Sequence, residues 1–493
     1  MTTSFSCFHV PTRCKQLLSE TPYKTLVFEH HGEKVELQVP ELTPDLIETI
    51  AEALKKQQSD YVQTLHTNEI IAVFDQAVQK WLHPEYELRK QAERLLPIIT
   101  GYDGEMIRLF ISRYVKQFRK EKLQRMVDED FPNPLVLDEF RPRKSGGLQR
   151  AYGPKLITHI FSGNVPALPL WSLAAGMLLK SATIGKVSSS EPLFPVLFAK
   201  TIAEIDPRLG DAMAILWWKG GDDALETVSF QCSNAVIAYG GKETIETVRQ
   251  KVPSHVSFHS HGHKVSFGVI TKDCLATTRG WQTAKLACYD VSWFDQQGCL
   301  SPHVFFVERG GTYSARDFAQ MIANEMDNFQ LTHPRATLTE EEHHAIVKQR
   351  TALEFESFDN SALDLIKSEQ GTEWTVVYLE LGEEKKREFP ISPLNRFVTV
   401  IPVNNIMEVK QYIKKVEGFV QTVGVGCSPQ AFSPIITMLG ECGVNRICAL
   451  GSMPHPEPGW HHDGRFHLAD LVRFCDVEST VEDQMDFFDV YRE

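Results

Sequence analysis

The chain has 493 residues, 42% of them hydrophobic and 23% charged, with a formal net charge of -13. That length exceeds one ordinary core and predicts two or three domains of soluble globular type. The acidic balance argues against a nucleic-acid-binding surface. The 10 cysteines include no CxxC pair, which argues against a disulfide scaffold and fits reduced thiols in a cytoplasmic protein.

The opening Met1-Thr2-Thr3-Ser4-Phe5 lacks the basic and then apolar regions of a secretory leader. Residues 25–39 read as a hairpin around His30-His31-Gly32-Glu33. From 44 to 125 the pattern is helical, with Leu46, Ile47, Ile50, Ala51 and Leu54 at helical spacing. From 151 onward strands alternate with helices. Residues 155–161, 182–187, 212–216 and 235–239 read as strands, and a helix over 242–250 follows Gly240-Gly241. Such alternation implies a parallel, doubly wound sheet. Residues 264–270 are expected to close this unit, and a second αβ unit is expected over 271–450. Residues 165–179 are the most apolar run, but Pro166, Pro169 and the terminating Lys180 leave it too short to span a bilayer. It reads as a buried helix, and no integral membrane segment is expected. The tail after Ala469 is acidic and aromatic.

Cys299 follows Gly298 in the polar stretch Asp295-Gln296-Gln297-Gly298-Cys299-Leu300-Ser301-Pro302, directly before the apolar Val304-Phe305-Phe306-Val307. A cysteine on a turn beside a strand can present a thiolate to a bound electrophile. Attack on an acyl group creates an oxyanion, which needs preorganised donors. Asn164 follows a strand end and a glycine, so its amide could supply one; a turn asparagine is the bland alternative. Cys288 sits in an apolar helix and reads as core. His255, His259, His261 and His263 share one parity, but no carboxylate or cysteine completes a metal set at close spacing. No metal is expected, and the histidines read as alternating toward solvent.

Four landmarks then occur in order. Asn164-Val165-Pro166 leads through the apolar helix to Ala182-Thr183-Ile184-Gly185-Lys186; Ala238-Tyr239-Gly240-Gly241, Gly262-His263-Lys264 and Gln297-Gly298-Cys299 follow. In this order the chain resembles the aldehyde dehydrogenase superfamily. Within it, Phe294-Asp295-Gln296-Gln297-Gly298-Cys299, Trp460-His461-His462-Asp463-Gly464-Arg465 and Leu471-Val472-Arg473 resemble the Lux-type long-chain fatty acyl-CoA reductases. The resemblance implies an α/β, aldehyde dehydrogenase-like fold with a Rossmann-type cofactor domain, an αβ catalytic domain and an N-terminal helical layer. The expected segments are an N-terminal hairpin and helical region packing on the cofactor domain (1–130), an NADPH-binding domain (131–270), a catalytic cysteine domain (271–470) and a C-terminal tail (471–493).

The resemblance makes Cys299 the nucleophile, Asn164 the oxyanion donor, and Lys186, Ser189, Gly240 and Gly241 cofactor-binding residues. It places His461, His462 and Asp463 near the acyl site, where a structural loop is an equal reading. Three departures bear on mechanism. Ser260 stands where ordinary members carry a Glu that activates hydrolytic water, which favours exchange between acyl-CoA and aldehyde over oxidation to acid. Ser189 stands where NAD-preferring members carry a Glu, and the missing carboxylate permits the 2′-phosphate of NADPH. Glu-x-Phe-Gly-Pro has no counterpart near Ser392-Pro393-Leu394-Asn395-Arg396-Phe397. The expected activity is NADPH-dependent reduction of a fatty acyl-CoA to an aldehyde through a cysteine thioester. An acyl-transfer partner enzyme and a homo-oligomer are compatible with it. The rivals are a CoA-acylating aldehyde dehydrogenase for short-chain substrates and a catalytically silent scaffold of the same fold.

Overall fold

The computed structural model describes residues 2–381 and 388–491. Met1 thus lies outside the described residues, and the tail is followed as far as Tyr491. The chain forms two compact units: Met1–Ile99, Phe110–Gly262 and Glu457–Glu493 in the first, Thr100–Leu109 and His263–Pro456 in the second.

The first unit is built on a five-stranded parallel sheet. Leu156–Ile160 is its central strand, flanked on one side by Ala182–Lys186 and then Met213–Leu216, and on the other by Ala235–Tyr239 and then Ser257–His261. The four apolar strands are buried along their whole length, as a sheet covered on both faces requires. The fifth strand departs from the sequence expectation. Residues 264–270 do not close this sheet: Ser257–His261 does, and Val265–Ile270 pairs within the second unit. The polar Ser-Phe-His-Ser-His run can occupy only an edge, where one side faces a cavity. The apolar Val265–Ile270 needs cover on both faces and finds it in a larger sheet.

Helix Pro169–Leu178 is buried at every position, matching the reading of the apolar run. Helix Thr67–Leu82 packs on Leu193–Ile205 through aromatic contacts, Phe74 on Phe198 at 5.0 Å and Trp81 on Phe194 at 4.9 Å between ring centroids. The Trp81 indole N–H donates to Thr201 Oγ1 at 3.0 Å, satisfying the polar tip of a buried ring. The hairpin is Tyr23–His30 and Glu33–Pro40. His31 (φ 49°) and Gly32 (φ 78°) are both left-handed, the two-residue turn that suits the strand twist. Thr2–Ser6 adds a parallel third strand to it.

The second unit carries a seven-stranded sheet in the order Leu363–Lys367, Thr375–Leu379, Phe397–Val403, Pro302–Glu308, Val265–Ile270, Val420–Gly426, Arg446–Ala449. Only the first pair is antiparallel. Helices Arg279–Ser292 and Ala315–Thr332 contribute to one core cluster and Pro429–Glu441 to another. Cys288 lies in the first of these, its thiol pushed up to about 12 by burial, so it is a packing residue. No helix among the described residues is long and apolar enough to cross a membrane.

Candidate active site

Cys299 belongs to the second unit, in the turn between helix Arg279–Ser292 and strand Pro302–Glu308. It is half-buried. Its carbonyl accepts from the Ser266 hydroxyl at 2.8 Å, and Ser266 Oγ itself accepts from Thr422 N at 3.2 Å. Ser266 is fully buried on the adjacent strand, so the Cys299 peptide is tied to the sheet. Gln297 N donates to Phe294 O at 2.9 Å and Ser301 N to Gly298 O at 3.0 Å, closing turns on either side. The conformational demand does not fall on the glycine. A Cβ at Gly298 would meet nothing closer than Ser301 Oγ at 3.6 Å. The left-handed residues are Phe294 (φ 46°), Asp295 (φ 51°) and Gln296 (φ 66°), each at a cost of roughly 1–2 kcal/mol for a side chain with a Cβ. Sequence reasoning missed this run because it contains no glycine.

The other five predicted site residues lie in the first unit, at the ends of strands of the five-stranded sheet or in the loops after them, the carboxyl edge at which open α/β sheets bind ligands. Asn164 follows Leu156–Ile160 and is exposed. Its neighbour Gly163 has no room for a side chain: a Cβ would lie 2.2 Å from Ser190 Oγ and 2.7 Å from Ser188 Oγ. The Ser162 hydroxyl is buried without a hydrogen-bond partner among the described residues. Lys186 ends its strand and is buried, which lowers its pKa, with Glu226 opposing. Ser189 accepts a hydrogen bond from the Trp217 indole N–H at 3.1 Å, and Lys24 Nζ lies 5.0 Å from the Trp217 ring. Glu191, the carboxylate of this loop, points inward. It is buried, accepts from Leu193 N and Phe194 N at 2.8 Å each, and has its pKa raised to about 8 by burial. Gly241 caps helix Lys242–Lys251 with no side-chain bond, and a Cβ there would meet nothing within 4 Å.

These features fit a dinucleotide. An uncapped helix N-terminus in open space suits a pyrophosphate, the unpartnered Ser162 hydroxyl suits a polar ligand, and Gly163 allows two loops to approach closely.

The histidines are not all turned to solvent. His259 and His261 line a cavity of about 40 Å³ together with His462, Asp463 and His467. His261 Nδ1 lies 2.8 Å from Asp463 Oδ2, and the His261 and His462 rings stack at 4.1 Å with 17° between planes. The ligand atoms of His261, His462 and Asp463 lie within 4.8 Å of one another. Rings stacked face to face direct their in-plane lone pairs along parallel planes rather than to a common ion, so this arrangement suits a carboxylate–imidazole pair better than a metal. His467 is held at about 3 by burial and is therefore neutral.

The fold these two units define is that of the aldehyde dehydrogenases. Aldehyde dehydrogenase 21 from Physcomitrella patens matches with a TM-score of 0.70 at 12% identity, covering 97% of this chain and 98% of its own. A glyceraldehyde-3-phosphate dehydrogenase from Methanocaldococcus jannaschii, complexed with NADP, matches at 0.68 and 11% over 92% and 98%. The family model described as acyl-CoA reductase (LuxC) matches residues 62–474, and the chain belongs to that family. It is thus a reductase of aldehyde dehydrogenase-like construction. A long-chain acyl-protein thioester reductase from Vibrio harveyi is 26% identical over 424 residues, 85% of this chain and 84% of the relative. One from Photobacterium phosphoreum is 24% identical over 469 residues, 93% and 88%.

Proposed function

We propose that this chain reduces a long-chain acyl thioester to the aldehyde through an acyl-enzyme on Cys299, with NADPH as reductant. The observation that carries the reading is the contrast between two cysteines. Cys299 is half-buried on a turn whose peptide is bonded to the sheet by Ser266, whereas Cys288 is core. The family description names acyl-CoA, and the relatives' names give acyl-protein thioesters. A thioester is the chemistry common to both.

Cys299 Sγ bonds to the acyl carbon, the thioester C–S bond breaks, and the departing thiol carries away the proton. The Asn164 amide and the Cys299 peptide N–H donate to the oxyanion. Ser260 gives no carboxylate base for water, so the acyl-enzyme is spared hydrolysis. Lys186, Ser189, Gly240 and Gly241, with Ser162 and Gly163, hold the cofactor, which when bound supplies a hydride to the acyl carbon. Breaking the Cys299 Sγ–carbon bond then releases aldehyde and leaves Cys299 as the thiolate, which takes a proton from solvent when it returns to the thiol. The first unit serves as the cofactor domain and the second, from His263 to Pro456, as the catalytic domain. An acyl-transfer enzyme supplies the acyl group, in the cytoplasm.

The test offers radiolabelled palmitoyl-CoA, and separately a palmitoyl thioester on a carrier protein, with NADPH or NADH. Hydroxylamine-sensitive label on the wild type and aldehyde formation are expected from at least one donor. Absence of label from both donors would remove the acyl-enzyme reading.

A further inference from the structure

A second left-handed run faces the first within the second unit. Leu394 (φ 66°), Asn395 (φ 58°) and Arg396 (φ 63°) precede strand Phe397–Val403. Neither run contains glycine, and only Asp295 and Asn395 are residue types that tolerate this region, so local preference does not account for the runs. What holds them is each other. Asn395 N donates to Asp295 O at 3.0 Å. The Arg396 guanidinium reaches Asp295 Oδ1 through Nε and Nη2 at 2.7 Å each. The side chains are 0% and 1% exposed. Two further Arg396 N–H groups donate to Gln330 Oε1 and His333 O, both at 2.8 Å, and Asp295 Oδ2 accepts from Ala336 N at 2.9 Å.

Gln296 joins the same bracket. Its amide donates to Pro302 O at 2.7 Å and Phe397 O at 2.9 Å and accepts from Phe397 N at 2.9 Å. The Pro302 bond closes the chain across residues 297–301, with Cys299 at the middle of the closed span. His303 Nδ1, in a ring held neutral with its pKa lowered to about 4 by burial, accepts from Ser392 N at 3.0 Å. The segment 392–397 thus packs against the Cys299 turn through Ser392, Asn395, Arg396 and Phe397.

We propose that the buried Asp295–Arg396 pair, with Gln296, fixes the conformation of the Cys299 turn and so aims its peptide N–H and thiol for acyl transfer. These are positioning residues. The proposal rests on the reading of Cys299 as nucleophile. A buried pair is weak evidence of net stability, since desolvation offsets attraction. Its value lies in holding two left-handed runs whose bulky members, Phe294, Leu394 and Arg396, disfavour that conformation.

The experiment compares two reactions of the same thiol. Acylation by palmitoyl-CoA needs the aligned N–H; alkylation by iodoacetamide, a displacement at saturated carbon, does not. Asp295→Asn and Arg396→Lys are measured under single turnover, with thermal melts and Cys299→Ala as the label control. Because a single change can leave a buried charge unpaired, the neutral double variant Asp295→Asn with Arg396→Gln is included. Expected is a fall in acylation rate of about a hundredfold in folded variants, with alkylation of Cys299 changed less than about threefold. Parallel loss of both reactions, or wild-type acylation in the folded double variant, overturns the positioning role. Failure of the nucleophile reading looks different: wild type and Cys299→Ala would take up acyl label equally.

Discussion

Cys299 and Cys288 have the same side chain and opposite environments. Burial pushes the Cys288 thiol up to about 12, beyond use as a thiolate, while Cys299 sits on a tethered turn. Cys299→Ala is expected to abolish acyl label and aldehyde, and Cys288→Ala to retain both, read by hydroxylamine-sensitive labelling. Asn164→Ala should slow turnover roughly a hundredfold with an unchanged melt; unchanged turnover would return Asn164 to an ordinary turn residue. Ser189 accepts from Trp217, has Lys24 stacked nearby, and has its loop carboxylate Glu191 turned away. Ser189→Glu should therefore lower kcat/KM for NADPH more than for NADH, through repulsion of the 2′-phosphate. Equal losses for the two cofactors would place selectivity elsewhere.

At the scale of elements, the loops after the parallel strands divide by their tolerance of a side chain. A Cβ at Gly163 would collide with Ser188 and Ser190, while one at Gly241 meets open space. Gly163→Ala should displace the loop over 187–192 and lower cofactor affinity at least about tenfold, with acylation in the absence of cofactor little changed. Gly241→Ala should leave the melting temperature unchanged and, on the proposed cofactor site, still weaken cofactor binding, because the protein leaves that space empty for the pyrophosphate. Tryptophan-fluorescence titration with NADPH measures both; tight binding by both variants would remove these glycines from the cofactor site. The four apolar strands of the first sheet and the buried helix Pro169–Leu178 were legible in the sequence, since apolar runs carry them. Strand Ser257–His261 was not, because a His-Ser-His run has no strand signature until an edge and a cavity accept it.

Over the whole molecule, buried ionisable groups pull stability in opposite directions with pH. Burial lowers His9 and His303 to about 4 and His159 and His467 to about 3. Their unfolded forms take up protons below about 6.5, so their contribution is complete above that pH and is lost as pH falls toward 3–4. Burial raises Glu191 to about 8 and Asp290 to about 7. Their contribution is complete below about pH 4 and is lost as pH rises through 7–8. His259 shifts in the first sense and Asp130 in the second, also through burial. The histidines outnumber the acids in the acid window; above it Glu191 and Asp290 are the groups that burial brings to titrate between about pH 6.5 and 8.5. The urea midpoint should climb from about pH 4.5 to about 6.5 and decline toward about 8.5. A midpoint that keeps rising to pH 8.5 would mean that Glu191 and Asp290 are ionised in the fold.

The sequence by itself determined the class of fold, the alternation of strand and helix and the identity of the cysteine on a turn. These follow from hydrophobic period and from residue types that only certain turns admit, which are local properties. Tertiary structure decided which sheet Val265–Ile270 joins, because an apolar strand takes its place from the faces available to cover it. It also decided the geometry around Cys299. Six left-handed residues without a glycine leave no trace in composition, and contacts of Asp295, Gln296 and Arg396 across a hundred residues of chain help to hold them.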